Sequence, residues 1–304
     1  MQAVIIDEYG DNSVVQFKDV PRPEPQAGEL LVKVQAAGVN PVDWKVRDGA
    51  GQRMGMTLPI ILGQEISGTV EQLGQGITHF AQGDAVYGIV KSGFAEYVIV
   101  RAADIAHKPS TLDFIHAAAI PLGGLTAWQA MFDLAHLTAG QRLLITGASG
   151  GVGSLAVQLA KAKGAHVTGV ASGHNEAFVR SLGVDEFVDY TQAPFEQVAK
   201  EMDVVFDTVG ADAFQRSFAS LKPGGVLVTS VAFPRDEAKQ RGVEVARVQC
   251  RPDADELAEL GALVDQGRLK AHIETVLPLA EAAQALKLSE QGRTRGKIVL
   301  RVGA

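Results

Sequence analysis

The chain has 304 residues, of which 46% are hydrophobic and 21% charged, as expected of a soluble globular protein long enough for two domains. Its net charge of −7 argues against general nucleic-acid binding. A single cysteine excludes an internal disulfide and any metal site built from four cysteines. The N-terminus lacks the pattern of a signal peptide, and no apolar run reaches the roughly 18 residues of a spanning helix, so we expect a cytoplasmic enzyme.

The first third of the chain is predicted to form short strands. Apolar runs interrupted by Gly and Pro predict strands at Ala3–Ile6, Leu30–Ala36, Glu65–Leu73, Ala85–Ile89 and Ala95–Val100. Many short strands without a long helix indicate a compact, barrel-like β domain.

The pattern changes near Pro121, after which strands and helices alternate. Apolar residues at helical spacing predict helices at Leu125–Ala135, Gly153–Ala162 and Glu176–Leu182. The predicted strands are Leu143–Thr146, Val167–Val170, Glu186–Asp189, Val204–Asp207, Val226–Thr229 and Val243–Val248. Short apolar strands separated by helices indicate a parallel sheet covered on both faces, and six of them suit a doubly wound dinucleotide fold.

The C-terminal segment returns to mixed character. It predicts helices at Leu257–Val264 and Leu279–Leu288, and strands at Ala271–Val276 and Lys297–Val302. We therefore predict an α/β protein of two domains, one formed by residues 1–121 and 271–304 and the other by residues 122–270.

A glycine-rich turn between a strand and a helix is the strongest local motif. Glycine-rich turns occur in many α/β loops, but the strand before this one and the helix after it favour a dinucleotide site. Gly150, helped by Gly151, lets the backbone approach a pyrophosphate at the helix N-terminus, and Gly153 lets the helix pack on the strand. Ala148 stands where the usual first glycine would be. The predicted cofactor contacts in this turn are Ser149, Gly150, Gly151 and Val152.

The residues after the second strand of this fold favour NADP over NAD. NAD enzymes place Asp or Glu there, about 20 residues on, to bind the ribose 2′-hydroxyl. Here the strand is followed by Ser172, His174 and Asn175, and Glu176 already lies in the next helix. These polar residues accept a 2′-phosphate without repulsion, and Arg180 lies one turn further. Capping of the next helix by Ser172 and Asn175 is the alternative, and the two roles are compatible.

Seven motifs along nearly the whole chain carry a family resemblance. They are Gly38–Lys45, Leu62–Val70, Gly83–Gly88, Gly93–Tyr97, Ala118–Pro121, Gly124–Trp128 and Arg295–Leu300. Their types and order resemble the zeta-crystallin type of quinone oxidoreductase in the medium-chain dehydrogenase/reductase superfamily. The resemblance implies a GroES-like catalytic domain completed by the C-terminal segment, a Rossmann domain that binds NADP(H), and a cleft between them.

The sequence departs from the zinc alcohol dehydrogenases of the same superfamily. Those use a cysteine early in the first motif and a histidine in a Gly-His-Glu motif, and the matching positions here are Asn40 and Gln64. A neutral amide is a poor zinc ligand compared with thiolate or imidazole. The seven histidines are scattered without close ligand spacing, so we predict no bound metal.

Without zinc, alcohol oxidation loses its Lewis acid, whereas NADPH can still reduce an electron-poor quinone or α,β-unsaturated carbonyl. By resemblance, Asn40, Asp43 and Thr126 are the candidate catalytic residues, with Thr126 also near the nicotinamide. Simpler alternatives are a turn amide for Asn40, a helix N-terminal carboxylate for Asp43 and an intrahelical hydroxyl for Thr126. No His or Tyr is a candidate general acid, and water is a candidate proton source.

Further cofactor contacts follow from the resemblance and from the rule that ligands bind at strand carboxyl ends. They are Tyr190, Val209, Val231, Ala232 and Lys297. The alternatives are edge packing for Tyr190 and an ordinary surface position for Lys297. The resemblance also implies a homodimer formed by pairing the sixth strands.

Two other functions remain open on the sequence alone. One is a reductase of enals, and the other is an NADPH-binding protein with a structural or regulatory role and little turnover. A glycine turn cannot separate these, because each of them would bind NADPH.

Overall fold

The computed structural model describes residues 1–234 and 242–303. The strands, in chain order, are β1 Gln2–Ile6, β2 Val15–Asp19, β3 Glu29–Val39, β4 Ile60–Ile61, β5 Glu65–Leu73, β6 Ala85–Ile89, β7 Tyr97–Arg101, β8 Ile105–His107, β9 Arg142–Thr146, β10 His166–Ala171, β11 Glu186–Asp189, β12 Met202–Asp207, β13 Leu221–Thr229, β14 Glu244–Arg247, β15 Ile273–Pro278 and β16 Lys297–Arg301. Every predicted strand is present. The bounds of β5, β6 and β11 are as predicted, and the ends of the others differ by one to five residues, whereas β2, β4 and β8 were not predicted.

The α-helices are α1 Pro41–Lys45, α2 Gly51–Arg53, α3 Phe114–Ala117, α4 Pro121–Trp128, α5 Gly151–Ala162, α6 Glu176–Ser181, α7 Phe195–Val198, α8 Ala211–Ser217, α9 Ala254–Asp265 and α10 Ala282–Glu290. Short 3₁₀ turns occupy Asn12–Val14, Ala102–Asp104, Gly173–Asn175, Phe218–Ser220 and Leu279–Glu281, and π-helical stretches occupy Val46–Ala50 and Gln129–Leu134. None of the helices in the described part of the chain combines the length and hydropathy that a bilayer crossing requires.

The chain forms two compact units. The first contains residues 1–122, 252–266 and 271–304, and the second contains residues 123–251 and 267–270. This division differs from the predicted boundaries in residues 252–266, which pack with the first unit. The Tyr87 hydroxyl donates to the Leu257 carbonyl at 2.5 Å, and Asp265 accepts hydrogen bonds from Ser110 and Thr111. These contacts tie α9 to the first unit, although it follows the strands of the second in sequence.

The first unit holds two β-sheets around one apolar core. A three-stranded sheet has the order β2-β1-β4, and the larger sheet runs β15-β16-β3-β5-β6-β8 with β7 also paired to β3. Val4 and Ile6 of the small sheet share a buried cluster with Leu30, Ile66 and other residues of the large sheet. The expected compact β domain is therefore present.

The second unit is built on a six-stranded sheet in which all pairings are parallel. Its order is β11-β10-β9-β12-β13-β14, which confirms the predicted doubly wound arrangement. The central strand β9 is buried over Leu143–Thr146, as expected of aliphatic strands covered on both faces. The order of the strands reverses between β9 and β12, and ligands of such sheets bind at the carboxyl ends of strands at that point.

Candidate functional site

The glycine turn joins β9 to α5 at the point where the strand order reverses. Gly147 has φ +68°, a left-handed conformation that favours glycine. Gly150 is the N-cap of α5, and no side chain caps this helix end. The first amides of a 12-residue helix are thus directed at the carboxyl edge of the sheet, where an anion would be stabilised.

The three spaced glycines of the turn are required for different reasons. A Cβ at Gly147 would lie 2.5 Å from the Thr208 hydroxyl, and one at Gly153 would lie 2.2 Å from the Gly147 carbonyl oxygen. A Cβ at Gly150 would meet only that carbonyl, at 3.4 Å. Packing within the protein therefore demands glycine at 147 and 153, whereas the space before Gly150 suits a ligand. Ala148 stands where the usual fingerprint has its first glycine, and the left-handed turn is formed by the residue before it, Gly147.

This difference gives a matched pair of alanine variants. We expect Gly150→Ala to change the free energy of unfolding by less than about 1 kcal/mol, because its φ of −80° suits alanine, while weakening NADPH binding at least about tenfold. We expect Gly153→Ala to destabilise the fold by about 1–3 kcal/mol, because a backbone carbonyl blocks the added carbon. Urea unfolding and fluorescence titration of NADPH measure the two effects. Equal loss of stability in both variants would contradict this assignment.

A buried carboxylate that the sequence interpretation missed organises the loops at the same edge. Asp207 ends β12 and is fully buried. It accepts hydrogen bonds from the hydroxyls of Thr146, at 2.9 Å, and Thr229, at 2.8 Å. It also accepts from the backbone amides of Val209, at 3.1 Å, and Gly210, at 3.0 Å.

The two threonines extend the Asp207 network to the neighbouring loops. The Thr229 hydroxyl accepts from the amides of Val231 and Ala232, at 3.2 and 3.0 Å, and so holds the loop after β13. Thr146, Asp207 and Thr229 end three adjacent strands and stand opposite one another in register. Three polar strand-final residues after apolar runs were the sequence signal that could have revealed this network.

The predicted contacts in these loops are placed at the carboxyl edge of the sheet. Val209 is 56% exposed, although it is apolar, and it directly follows the Asp207 network. Val231 and Ala232 are half-buried. Val209 is therefore an apolar side chain that lies open to solvent at this edge of the sheet.

The loop after β10 brings together the three residues predicted to meet a 2′-phosphate. The ring Nδ1 of His174 lies 3.1 Å from the Ser172 hydroxyl, and its Nε2 lies 3.2 Å from the side-chain nitrogen of Asn175. Asn175 Nδ2 also donates to the Ser172 hydroxyl at 3.3 Å. The predicted helix α6 begins after them, at Glu176.

A carboxylate from the next strand approaches this loop. Asp189 ends β11, and a Cβ at Gly173 would lie 2.4 Å from its Oδ2. Hydrogen bonds from the Thr191 hydroxyl and amide lower the pKa of Asp189. Because Asp189 ends the third strand of the fold, the residues that follow the second strand in sequence gave no sign of this neighbouring charge.

Tyr190 follows Asp189 and is 55% exposed. It lines an open depression of about 420 Å³ with Pro194, Asp212 and Arg216. Thr126 lies buried in the second unit, in α4. The second unit thus contains every predicted cofactor contact except Lys297.

A buried ionic cluster occupies the first unit. The Lys297 ammonium forms an ion pair with Glu65 and donates to Asn40 Oδ1 at 2.6 Å. The Asn40 side-chain nitrogen donates to Glu65 Oε1 at 2.8 Å and to the Gly38 carbonyl at 3.3 Å. The amide of Leu122 donates to Glu65 Oε2 at 2.7 Å.

The cluster gives two predicted residues a different setting from the one expected. Lys297 is 4% exposed, so its ammonium is committed to Glu65 and Asn40 rather than presented as a surface cation. Both N–H groups and the oxygen of the Asn40 amide are also engaged. Gly38 leaves room for Glu65, because a Cβ there would lie 2.3 Å from Glu65 Oε1.

Asp43 lies next to this cluster at the third position of α1. Its Oδ2 accepts a hydrogen bond from the backbone N–H of Asn40 at 2.8 Å, so the alternative role of a helix N-terminal carboxylate is present. Asp43 lines a cavity of about 30 Å³ together with Met56 and Gln64, and its buried Oδ1 has no hydrogen-bond partner among the described residues. Burial raises the pKa of Asp43 to about 7, although the hydrogen bond from the Asn40 backbone N–H and the charge of Lys297 act to lower it.

Two family models match separate parts of this chain. Residues 26–110 match the alcohol dehydrogenase GroES-like domain, and residues 182–300 match the model described as zinc-binding dehydrogenase. No group of three or more His, Cys, Asp or Glu side chains that could hold a metal ion occurs within residues 1–234 and 242–303.

Individual proteins match over nearly their whole length. The chain is 33% identical to the mitochondrial NAD(P)H oxidoreductase RTN4IP1 of Danio rerio, over 99% of this chain and 91% of that protein. The quinone oxidoreductase structure from Coxiella burnetii has a TM-score of 0.93 and 35% identity, covering 100% of this chain and 99% of that one. Mycobacterial Rv1454c complexed with NADPH has a TM-score of 0.90 and 28% identity, covering 99% and 100%.

Proposed function

Because this chain belongs to the medium-chain dehydrogenase/reductase superfamily as a quinone-oxidoreductase-like enzyme that binds NADP(H), we propose that it reduces quinones or α,β-unsaturated carbonyls without a bound metal. The observation on which this proposal rests is the engagement of Glu65 and Asn40 by the Lys297 ammonium. A cation of the protein itself is thus held against Asn40, one of the two positions that match metal ligands of the superfamily's zinc enzymes.

The second unit suits the cofactor. The turn at Gly150 offers uncapped helix amides and open space to a pyrophosphate, and the Asp207 network fixes the loops that bear Val209 and Ala232. Bound NADPH supplies the hydride, and the protein's part is to orient it. We propose that Ser149–Val152 contact the pyrophosphate and that Ser172, His174 and Asn175 contact the 2′-phosphate.

The first unit does not suit zinc. The two positions that match zinc ligands are amides, Asn40 and Gln64, and the Asn40 oxygen already accepts from Lys297. Glu65 is neutralised by the same ammonium, so a cation placed beside it would meet repulsion from Lys297.

The geometry favours Asp43 over Asn40 as the group that handles a proton. Asn40 has its amide fully engaged, which supports a positioning role for it. Asp43 lines the small cavity and has one carboxylate oxygen without a hydrogen-bond partner among the described residues, and a pKa of about 7 means that the carboxyl is present in both protonation states near neutral pH. Reduction of a quinone or enone consumes one proton for each hydride, and we propose that Asp43 supplies it.

Steady-state kinetics test this function. We expect kcat/KM with 1,4-benzoquinone or an enone to be at least about tenfold higher with NADPH than with NADH. A chelator should change activity by less than about twofold, and the purified protein should hold no stoichiometric zinc. Alcohol oxidation should be undetectable beside quinone reduction.

The same assays separate the alternatives. Zinc-dependent alcohol oxidation would overturn the metal-free mechanism. Tight NADPH binding without oxidation by any quinone, enone or enal would instead favour a binding role with little turnover. A preference for enals over quinones would assign the enzyme to alkenal reduction.

We further propose a cytoplasmic homodimer. Among the described strands, β14 is the last of the six-stranded sheet, so pairing with the same strand of a second copy would extend the sheet. Light scattering on the eluting protein would measure the mass against the 32.1 kDa of one chain.

A further inference from the structure

We infer that His174 makes the preference for NADPH over NADH depend on pH, because the charged imidazolium, and not the neutral ring, pairs with the 2′-phosphate. This inference rests on the proposal that Ser172, His174 and Asn175 hold that phosphate. Histidine is the side chain whose charge ordinarily changes between about pH 5 and pH 8.

The composition of the loop leaves the imidazole as its source of positive charge. Residues 171–175 read Ala-Ser-Gly-His-Asn and contain no Lys or Arg. Arg180, one turn further, forms an ion pair with Glu176 at 2.8 Å on the same helix. A phosphate bound here would therefore obtain its counter-charge from His174, whose side chain is exposed at the protein surface.

The hydrogen bonds around the ring respond to its protonation. In the neutral ring, Nε2 can accept from Asn175 Nδ2, which lies 3.2 Å away. The imidazolium has donors at both nitrogens, and either of them can donate to a phosphate oxygen within hydrogen-bond distance. Protonation therefore adds a donor and a positive charge to the loop, and both favour an anion.

The charged groups near His174 strengthen the expected pH dependence of 2′-phosphate binding. Asp189, from the neighbouring strand β11, interacts electrostatically with His174 and has a lowered pKa, so it stays ionised across the neutral range. On the loop's own side the charged groups are Glu176 and Arg180, which pair with each other. With a neutral ring, Asp189 repels a 2′-phosphate, whereas the imidazolium compensates that carboxylate. The affinity for a cofactor with a 2′-hydroxyl in place of the phosphate does not depend on this change in charge.

Calorimetric titration of the full-length protein with NADP⁺ and NAD⁺ provides the test, because the oxidised cofactors are stable in mild acid. We expect the ratio of the NAD⁺ to the NADP⁺ dissociation constant to rise about tenfold between about pH 8.5 and about pH 6. His174→Gln should abolish most of that rise, and His174→Arg should hold the ratio high at every pH. His166→Gln, which changes a histidine at the amino end of β10, should behave as the unmodified protein.

The phosphate itself also titrates, with a second pKa of about 6. This effect is the same for all four proteins, so the comparison between variants cancels it. Equal pH dependence in the unmodified protein and His174→Gln would overturn the inference. If His174→Arg fails to strengthen NADP⁺ relative to NAD⁺, the phosphate lies elsewhere and the proposed site fails with it. If His174→Arg strengthens NADP⁺ but the unmodified protein shows no pH dependence, only the inference about protonation falls.

Discussion

Replacing Lys297 with methionine is expected to lower the free energy of unfolding by about 3–5 kcal/mol, the usual cost of removing one partner from a buried ion pair. The Glu65 side chain is 0% exposed and that of Lys297 is 5% exposed, so water cannot replace the lost ammonium. The variant would leave the Glu65 carboxylate with two neutral donors, the Asn40 amide and the Leu122 N–H. Chemical denaturation followed by fluorescence and circular dichroism would measure the change.

Two further variants separate the buried charge from a general loss of packing. Glu65→Gln combined with Lys297→Met removes both charges, and we expect it to recover at least half of the lost stability. Lys33→Met, at an exposed position of β3, should change stability by less than about 0.5 kcal/mol. If the double variant is no more stable than Lys297→Met, the ion pair does not account for the effect.

Replacing Asp207 with asparagine is expected to destabilise the protein by about 2–4 kcal/mol and to weaken NADPH binding by at least about tenfold. Asp207 accepts from two hydroxyls and two backbone amides and donates to none of them. An amide of the same shape would turn an N–H₂ group toward these donors. The loops that bear Val209 and Ala232 would then lose their anchor at the point where the strand order reverses.

The loss of cofactor affinity should depend on which half of NADPH is probed. The Asp207 network holds the loops after β12 and β13, whereas Ser172–Asn175 lie in the loop after β10. We therefore expect Asp207→Asn to weaken NADPH more than 2′,5′-ADP, measured by calorimetry below the unfolding temperature. Asp255→Asn, at an exposed position on α9 in the first unit, serves as the matched control and should leave both affinities unchanged. Equal weakening of the two ligands would indicate a general structural role for Asp207.

The regular parts of the fold were predictable because local periodicity and apolar burial coincide there. Strands such as β9 and β12 contain runs of three or more apolar residues that are buried, and that pattern needs no tertiary information. The two-residue strand β4 and the three-residue strand β8 were missed, because such short segments carry no period. Helix α9 was predicted, but the compact units differ from the predicted boundaries in grouping it with the first unit, since a helix pattern does not say which partner its apolar face contacts.

The sequence by itself determined the chemistry available to this protein: a glycine turn between strand and helix, amides at the zinc-ligand positions, and no acidic residue directly after β10. Only the tertiary structure decided how distant polar residues combine. Lys297 and Asn40 are 257 positions apart, and Asp207 and Thr146 are 61 apart, yet each pair is hydrogen-bonded. The physical reason is that buried polar groups must find partners wherever the fold brings them, and sheet register and loop packing set those encounters.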